Sequence, residues 1–249
     1  MNPLARVWSS SVGKKFVMAS TGGVLVVFVI GHLVGNLQLF LGPETLNRYG
    51  HFLQSNKELL WLARIGLLTC VALHIVAAVR LSAENKAARP MGYEGDPAPI
   101  AANYASRTML MSGLIVAAFI LYHLLHYTVQ VTGINFSGQD FGGFHDAKDR
   151  HDVYRMMIVG FQQPIVSLAY LVAMALLCLH LSHGVQAMVQ SLGIRTACCP
   201  GLARRAANWG ALVIFLGYVS MPLAVLSGFG RGYVEAANAA ALVDAKGRE

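Results

Sequence analysis

An all-α integral membrane bundle of five transmembrane helices is what this sequence predicts, and three observations predict it. Of the 249 residues, 55% are hydrophobic and only 12% charged, too little polar surface to coat a soluble globule of that size. Five long segments lack Lys, Arg, Asp and Glu altogether. They are continuous apolar runs without the two-residue alternation of a membrane barrel, and in lipid a helix is the only other way to satisfy the backbone.

A helix needs about 20 mostly apolar residues to cross roughly 30 Å of hydrocarbon, and the runs place helices at about 16–41, 59–82, 106–132, 156–191 and 206–230. The first follows Arg6, Lys14 and Lys15 and carries no ionised side chain from Phe16 to Pro43. It exceeds a signal-peptide core and lacks a small-x-small cleavage site after a short one, so it is expected to stay in the mature protein. The second includes Arg64, which must reach the interface with its head group. The fourth is long enough to project from the bilayer. Pro164 and Pro222 are expected to mark kinks.

Residues 84–107, with three prolines, read as a structured inner loop, and 132–155 as a Gly- and Asp-rich outer loop. The tail 234–249 is Ala-rich and expected to be loosely ordered, leaving residues 1–233 as one membrane domain. No internal repeat appears at a fixed period.

With the N-terminus cytoplasmic and the C-terminus outside, ten Lys and Arg fall inside and nine outside, while the acidic residues divide three to nine. That orientation leaves a basic inner face suited to docking a soluble partner. The overall charge of +7 comes in short clusters between apolar runs, not in a stripe with interleaved aromatics, so nucleic acid is excluded as a partner. Cys70, Cys178, Cys198 and Cys199 form no CxxC or CxxCH, so neither a disulfide framework nor covalently attached haem is indicated.

Six of the nine histidines, His32, His74, His123, His126, His180 and His183, fall within the predicted spans. A polar ring in hydrocarbon is costly unless partnered, which makes each a functional candidate, although an interhelical hydrogen bond explains a single one as well. Depth separates the readings. At 1.5 Å per residue, His32 lies about 24 Å and His123 about 22 Å above the inner ends of their helices. His74 lies about 9 Å and His180 about 15 Å above theirs.

Two pairs of imidazoles at two heights, roughly 10 Å apart, are what two six-coordinate haems need, each iron taking one nitrogen from either side. His126 and His183 lie three residues beyond His123 and His180. They are alternative ligands or groups supporting the ligands, and spacing alone does not choose within HLLH or HLSH. Gly22, Gly23, Gly31, Gly35 and the Ser112-Gly113 pair would admit a flat macrocycle, or equally serve ordinary helix packing. Met109, Met111, Met156, Met157 and Met174 read as packing.

The phrases VIGHLVGN (29–36), ALHIVAAVR (72–80), SGLIVAAFILYHLLHY (112–127) and CLHLSHGVQ (178–186) occur in that order on four successive helices. As an ordered set covering roughly residues 12–229, they resemble the di-haem cytochrome b anchor subunit of bacterial succinate dehydrogenases and fumarate reductases, the succinate:quinone oxidoreductases.

That resemblance implies two haem b groups, an outer one on His32 and His123 and an inner one on His74 and His180. It implies a bacterial cytoplasmic membrane, a flavoprotein and an iron–sulfur protein as partner subunits, and a quinone, menaquinone, as electron acceptor or donor. The dicarboxylate site would lie on a partner subunit, so this chain would enter the enzyme as its electron-transfer and quinone module, with scope for a higher oligomer. Some fumarate reductases of the family carry a glutamate two residues before the fourth ligand, linked to proton movement; here that position is Cys178. Quinone-binding residues do not carry over, and Gln38, Glu44, His51, His126 and Gln163 are the polar groups expected near the outer level. Rival readings are a cytochrome b of another quinone-linked dehydrogenase, a non-haem membrane metalloenzyme, and a structural anchor or transporter. The metalloenzyme would need its histidines to converge at one level.

Overall fold

The computed structural model describes residues 2, 7–88, 108–194 and 201–246, with side chains to residue 240. The described residues are helical apart from loops and one isolated antiparallel bridge between His145 and His151. Five helical stretches are long and apolar enough to cross a membrane: Ser11–Leu41, Lys57–Ala87, Met109–Thr128, Pro164–Ser191 and Leu202–Leu226. The protein is a multi-pass membrane protein. Lipid is the solvent its outer surface suits, since side chains within the spans such as Val27, Leu62, Met111 and Val213 are mostly exposed.

Helix α1 (Ser11–Leu37) runs into a single 3₁₀ turn, Gln38–Leu41. Gly42 then adopts φ 93°, a conformation that needs glycine, and Pro43 opens α2 (Pro43–Ser55) at its first position. Helix α3 is Lys57–Ala87. Helix α4 (Met109–His123) passes into a π turn, Leu124–Thr128, where Val129 N–H bonds the Leu124 carbonyl at 2.8 Å. Such turns concentrate at functional sites because they rotate the following side chains off the α-helical register. Helix α5 (Val153–Phe161) precedes α6 (Pro164–Ser191), followed by α7 (Leu202–Leu226) and α8 (Arg231–Lys246).

Three expectations need correction. The run 156–191 is two helices, α5 and α6, because Pro164 lacks the N–H that a continuous helix would use; it starts α6 and does not kink it. Ser167 Oγ, bonded to the Phe161 carbonyl at 2.6 Å, ties the break together. The predicted third helix, 106–132, ends at Thr128, and residues 129–131 past it are not helical, with a separate 3₁₀ turn at Thr132–Ile134. The tail expected to be loose forms α8. Its alanines favour helix, and its Tyr233 and Asn238 are bonded to Asp152 and Arg155, with Val234 buried. Pro222 sits within α7 as expected. Most of the predicted inner loop, together with Cys198 and Cys199, lies outside the described residues.

The chain divides into two compact units. One comprises Met1–Gly31, Glu58–Ala117 and Leu176–Ile214 and contains His74 and His180. Within it Lys14, almost fully buried, pairs with Glu84 at 2.8 Å and donates to the Trp8 carbonyl. The other comprises His32–Lys57, Ala118–Ala175 and Phe215–Glu249 and contains His32, His123 and His126. There Asp152 caps α5 by accepting from Arg155 N–H, and also accepts from Asn47 Nδ2 at 2.9 Å and the Tyr233 hydroxyl at 2.9 Å. These bonds hold α2, α5 and α8 to one another.

Candidate haem-binding histidine pairs

His74 on α3 and His180 on α6 face one another with ring centroids 6.3 Å apart and planes at 65°. The back edge of each ring is seated on a glycine of another helix. A Cβ at Gly22 of α1 would lie 3.1 Å from His74 Cε1 and 3.4 Å from Nδ1; one at Gly113 of α4 would lie 3.1 Å from His180 Cε1 and 3.5 Å from Nδ1. Only a residue without a side chain lets the imidazoles sit this deep. His74 Nδ1–H donates to the Met18 carbonyl at 3.0 Å, with Thr21 Oγ1 at 3.4 Å. A carbonyl can only accept, so the bond assigns the proton to Nδ1 and leaves the Nε2 lone pair available. His180 Nδ1 is turned toward the Met109 carbonyl without closing a full hydrogen bond to it.

In the second unit His32 on α1 and His123 on α4 stand with ring centroids 5.7 Å apart and planes at 82°. Tyr218 of α7 lies 6.4 Å from the His32 ring. His123 Nδ1 is 3.1 Å from the hydroxyl of Tyr170, a buried residue of α6, and His126 Nδ1 is also 3.1 Å from that oxygen. A hydroxyl has one proton. If His123 donates through Nδ1, Tyr170 donates to His126, and the proton of His126 is then on Nε2.

These distances bear on whether a metal-centred macrocycle fits. Two imidazoles on opposite sides of one metal atom, each bonded at about 2 Å, have ring centroids roughly 6 Å apart. Both pairs have that spacing, each combines two helices, and all four histidines are half-buried. The spacing is compatible with two haem groups, of which His32 and His123 would hold one and His74 and His180 the other.

The structure treats the neighbouring histidines differently. His126 is fully buried in the π turn, its ring within 6 Å of those of Tyr122, Tyr127, Phe141 and Tyr170. That enclosure leaves no open face for a flat ligand, and the ring opposite His32 is that of His123. His183 is half-buried one turn beyond His180, and among the described residues it makes no ring contact with His74. Of the polar groups expected near the outer level, Glu44 is bonded to Arg150 and Lys148, His51 is exposed, and Gln163 lies in the break between α5 and α6. Hydrogen bonds from Arg150 and then Lys148 hold the Glu44 carboxyl down at about 2.

Sequence reasoning missed Tyr170, Thr21 and the Met18 carbonyl. The signal for Tyr170 was present only coarsely, since a tyrosine ten residues before His180 lies about 15 Å further along that helix, toward the level expected for His123 but not at it. A backbone carbonyl leaves no such trace. Comparison with family models, curated proteins and solved structures returns no match for this chain.

Proposed function

We propose that this chain is the di-haem cytochrome b membrane subunit of a succinate:quinone oxidoreductase of the bacterial cytoplasmic membrane. The observation that carries the reading is the pair of histidine couples, each spaced for a single axial metal and each drawn from two different spans. The ordered phrases around those four histidines support the choice of family.

When bound, haem b supplies a one-electron carrier whose potential is set by its axial ligands and by burial. The chain's own contribution is placement. The Met18 carbonyl fixes the tautomer of His74, the Tyr170 hydroxyl engages Nδ1 of His123, and Gly22 and Gly113 set how deeply the inner rings sit. The low-dielectric span around each pair excludes water. A flavoprotein and an iron–sulfur subunit would dock on the basic cytoplasmic face, with electrons passing through the inner pair and then the outer pair to menaquinone.

A reduced-minus-oxidised spectrum with pyridine haemochrome quantification of the detergent-purified complex tests this. Two haem b per chain are expected. No haem, with another metal present, would end the cytochrome reading. Two haems with formate dehydrogenase or hydrogenase subunits co-purifying would keep the cytochrome and change the enzyme.

A further inference from the structure

Helices α1 and α4 carry the same residues in the same register. Met18, Thr21, Gly22, Phe28, His32 and Leu33 correspond to Met109, Ser112, Gly113, Phe119, His123 and Leu124, each 91 residues further on. The shared pattern is M-x₂-[ST]-G-x₅-F-x₃-H-L. The inward-running partners, α3 with His74 and α6 with His180, are offset by 106 residues, so no single period connects the two halves.

The correspondence extends to atoms. Each glycine faces the Cε1–Nδ1 edge of an inner histidine, and the distances agree within 0.1 Å. Each methionine carbonyl, one turn before its glycine, faces the Nδ1 of that same ring. Each hydroxyl lies 3.2 Å from that methionine carbonyl, although Thr21 Oγ1 makes a shorter bond, 2.7 Å, to the Val17 carbonyl; both side chains are buried. Chance packing of small residues would not match the ring atoms; the three-residue hydroxyl bond is shared with Ser182, Ser220 and Ser227 and is ordinary in helices.

We propose that the chain contains two copies of one helical device, in which Met18, Thr21 and Gly22 position His74 while Met109, Ser112 and Gly113 position His180. The outward-running helix of each copy thus provides an outer ligand, His32 or His123, and a seat for an inner ligand carried by another helix. These are positioning residues. The glycine sets the depth of the imidazole, and the carbonyl, tuned by the hydroxyl donating to it, fixes its rotation and its basicity as a ligand. The copies differ in one respect: the bond to Met18 is closed and that to Met109 is open, so the two inner imidazoles are inequivalent as donors. The inference rests on the cytochrome reading for what the imidazoles bind.

The test is Gly22→Ala and Gly113→Ala in the full purified complex, read by electron paramagnetic resonance of the oxidised protein and by potentiometric titration. The inner signal is identified by its loss in His74→Ala. An added Cβ at 3.1 Å forces each ring to shift by a few tenths of an ångström, so both variants should displace the inner signal and potential. The outer signal should stay as in wild type, although α1 and α4 carry the outer ligands. Unchanged inner signals in both, or equal displacement of the outer one, overturn the proposal. If the alanine variants lose the inner haem, Thr21→Val and Ser112→Ala decide: a displaced inner potential, restored by Thr21→Ser, supports the device, and a wild-type potential overturns it. A complex without haem overturns the cytochrome reading along with it; two haems with unmoved potentials overturn the device alone.

Discussion

The hydroxyl of Tyr170 lies 3.1 Å from Nδ1 of His123. Tyr170→Phe removes it with little change in volume and leaves buried nitrogens of His123 and His126 without their partner. A lost buried partner costs about 1–3 kcal/mol, so thermal unfolding of the purified protein should shift down by that amount. Both haems should remain, with only the outer one altered in potential. A variant indistinguishable from wild type in both measurements would show that the bond does not hold the ring.

The ligand assignment makes a paired prediction. His32→Ala and His123→Ala should each remove mainly the outer haem, and His74→Ala and His180→Ala mainly the inner, counted by haemochrome assay. Retention of two haems in all four would refute the assignment.

His126 and His183 should behave differently from the ligands. His183→Ala should keep two haems and near wild-type stability, because the side chain is half-buried and apart from the facing rings. His126→Ala should also keep two haems but lose about 2–4 kcal/mol, since it opens a cavity among four aromatic rings and removes a partner of Tyr170. Loss of one haem in His126→Ala with His123→Ala retaining both would reverse the choice within HLLH.

Outside the spans, the loop ion pairs predict a pH dependence. Burial alone would raise the Asp146 carboxyl, but hydrogen bonds from the Arg150 side chain and backbone outweigh it and hold it at about 2. A carboxylate with a folded pKa below its unfolded value of about 3.9 stabilises the protein above roughly pH 4, and that contribution fades as pH falls toward 2. Asp146→Asn should therefore be less stable than wild type by about 1 kcal/mol after solvent screening at pH 6, with the gap closing at pH 2 to 3. Thermal unfolding of both proteins across that range measures it.

Asp152 is the joint of α2, α5 and α8. Asp152→Ala removes the cap of α5, takes the 2.9 Å acceptor from the Tyr233 hydroxyl, and leaves Asn47 Nδ2 with only its longer 3.3 Å bond to Asp146. The expected loss is about 2–4 kcal/mol, together with increased proteolysis of α8. A wild-type cleavage rate there would mean that α8 is held by its apolar contacts alone.

The five spans were legible because apolar run length is set by bilayer thickness, a constraint external to the protein. The pairing of His32 with His123 and of His74 with His180 was legible for a related reason: helical rise converts sequence position into height. Boundaries were less so. Pro164 lies in a run without ionised residues, so only Gln162, Gln163 and the missing N–H of the proline mark the end of α5. The order in α8 depends on Tyr233 and Asn238 meeting residues about 80 positions away. The repeat on α1 and α4 escaped notice because α3 and α6 do not share its 91-residue offset, and it became visible only when two glycines were seen against the same edge of two imidazoles.

The order of the pairs along the chain carries a consequence for biogenesis. His32 and His123 have both left the ribosome once α4 is made, whereas His180 follows some 57 residues later. Yet the compact unit that contains the outer couple is completed only by Phe215–Glu249, whereas the unit of the inner couple ends at Ile214. The outer couple is thus the first to be synthesised and the last to be enclosed, so a chain interrupted after α6 and the start of α7 would hold a complete inner unit and an open outer one.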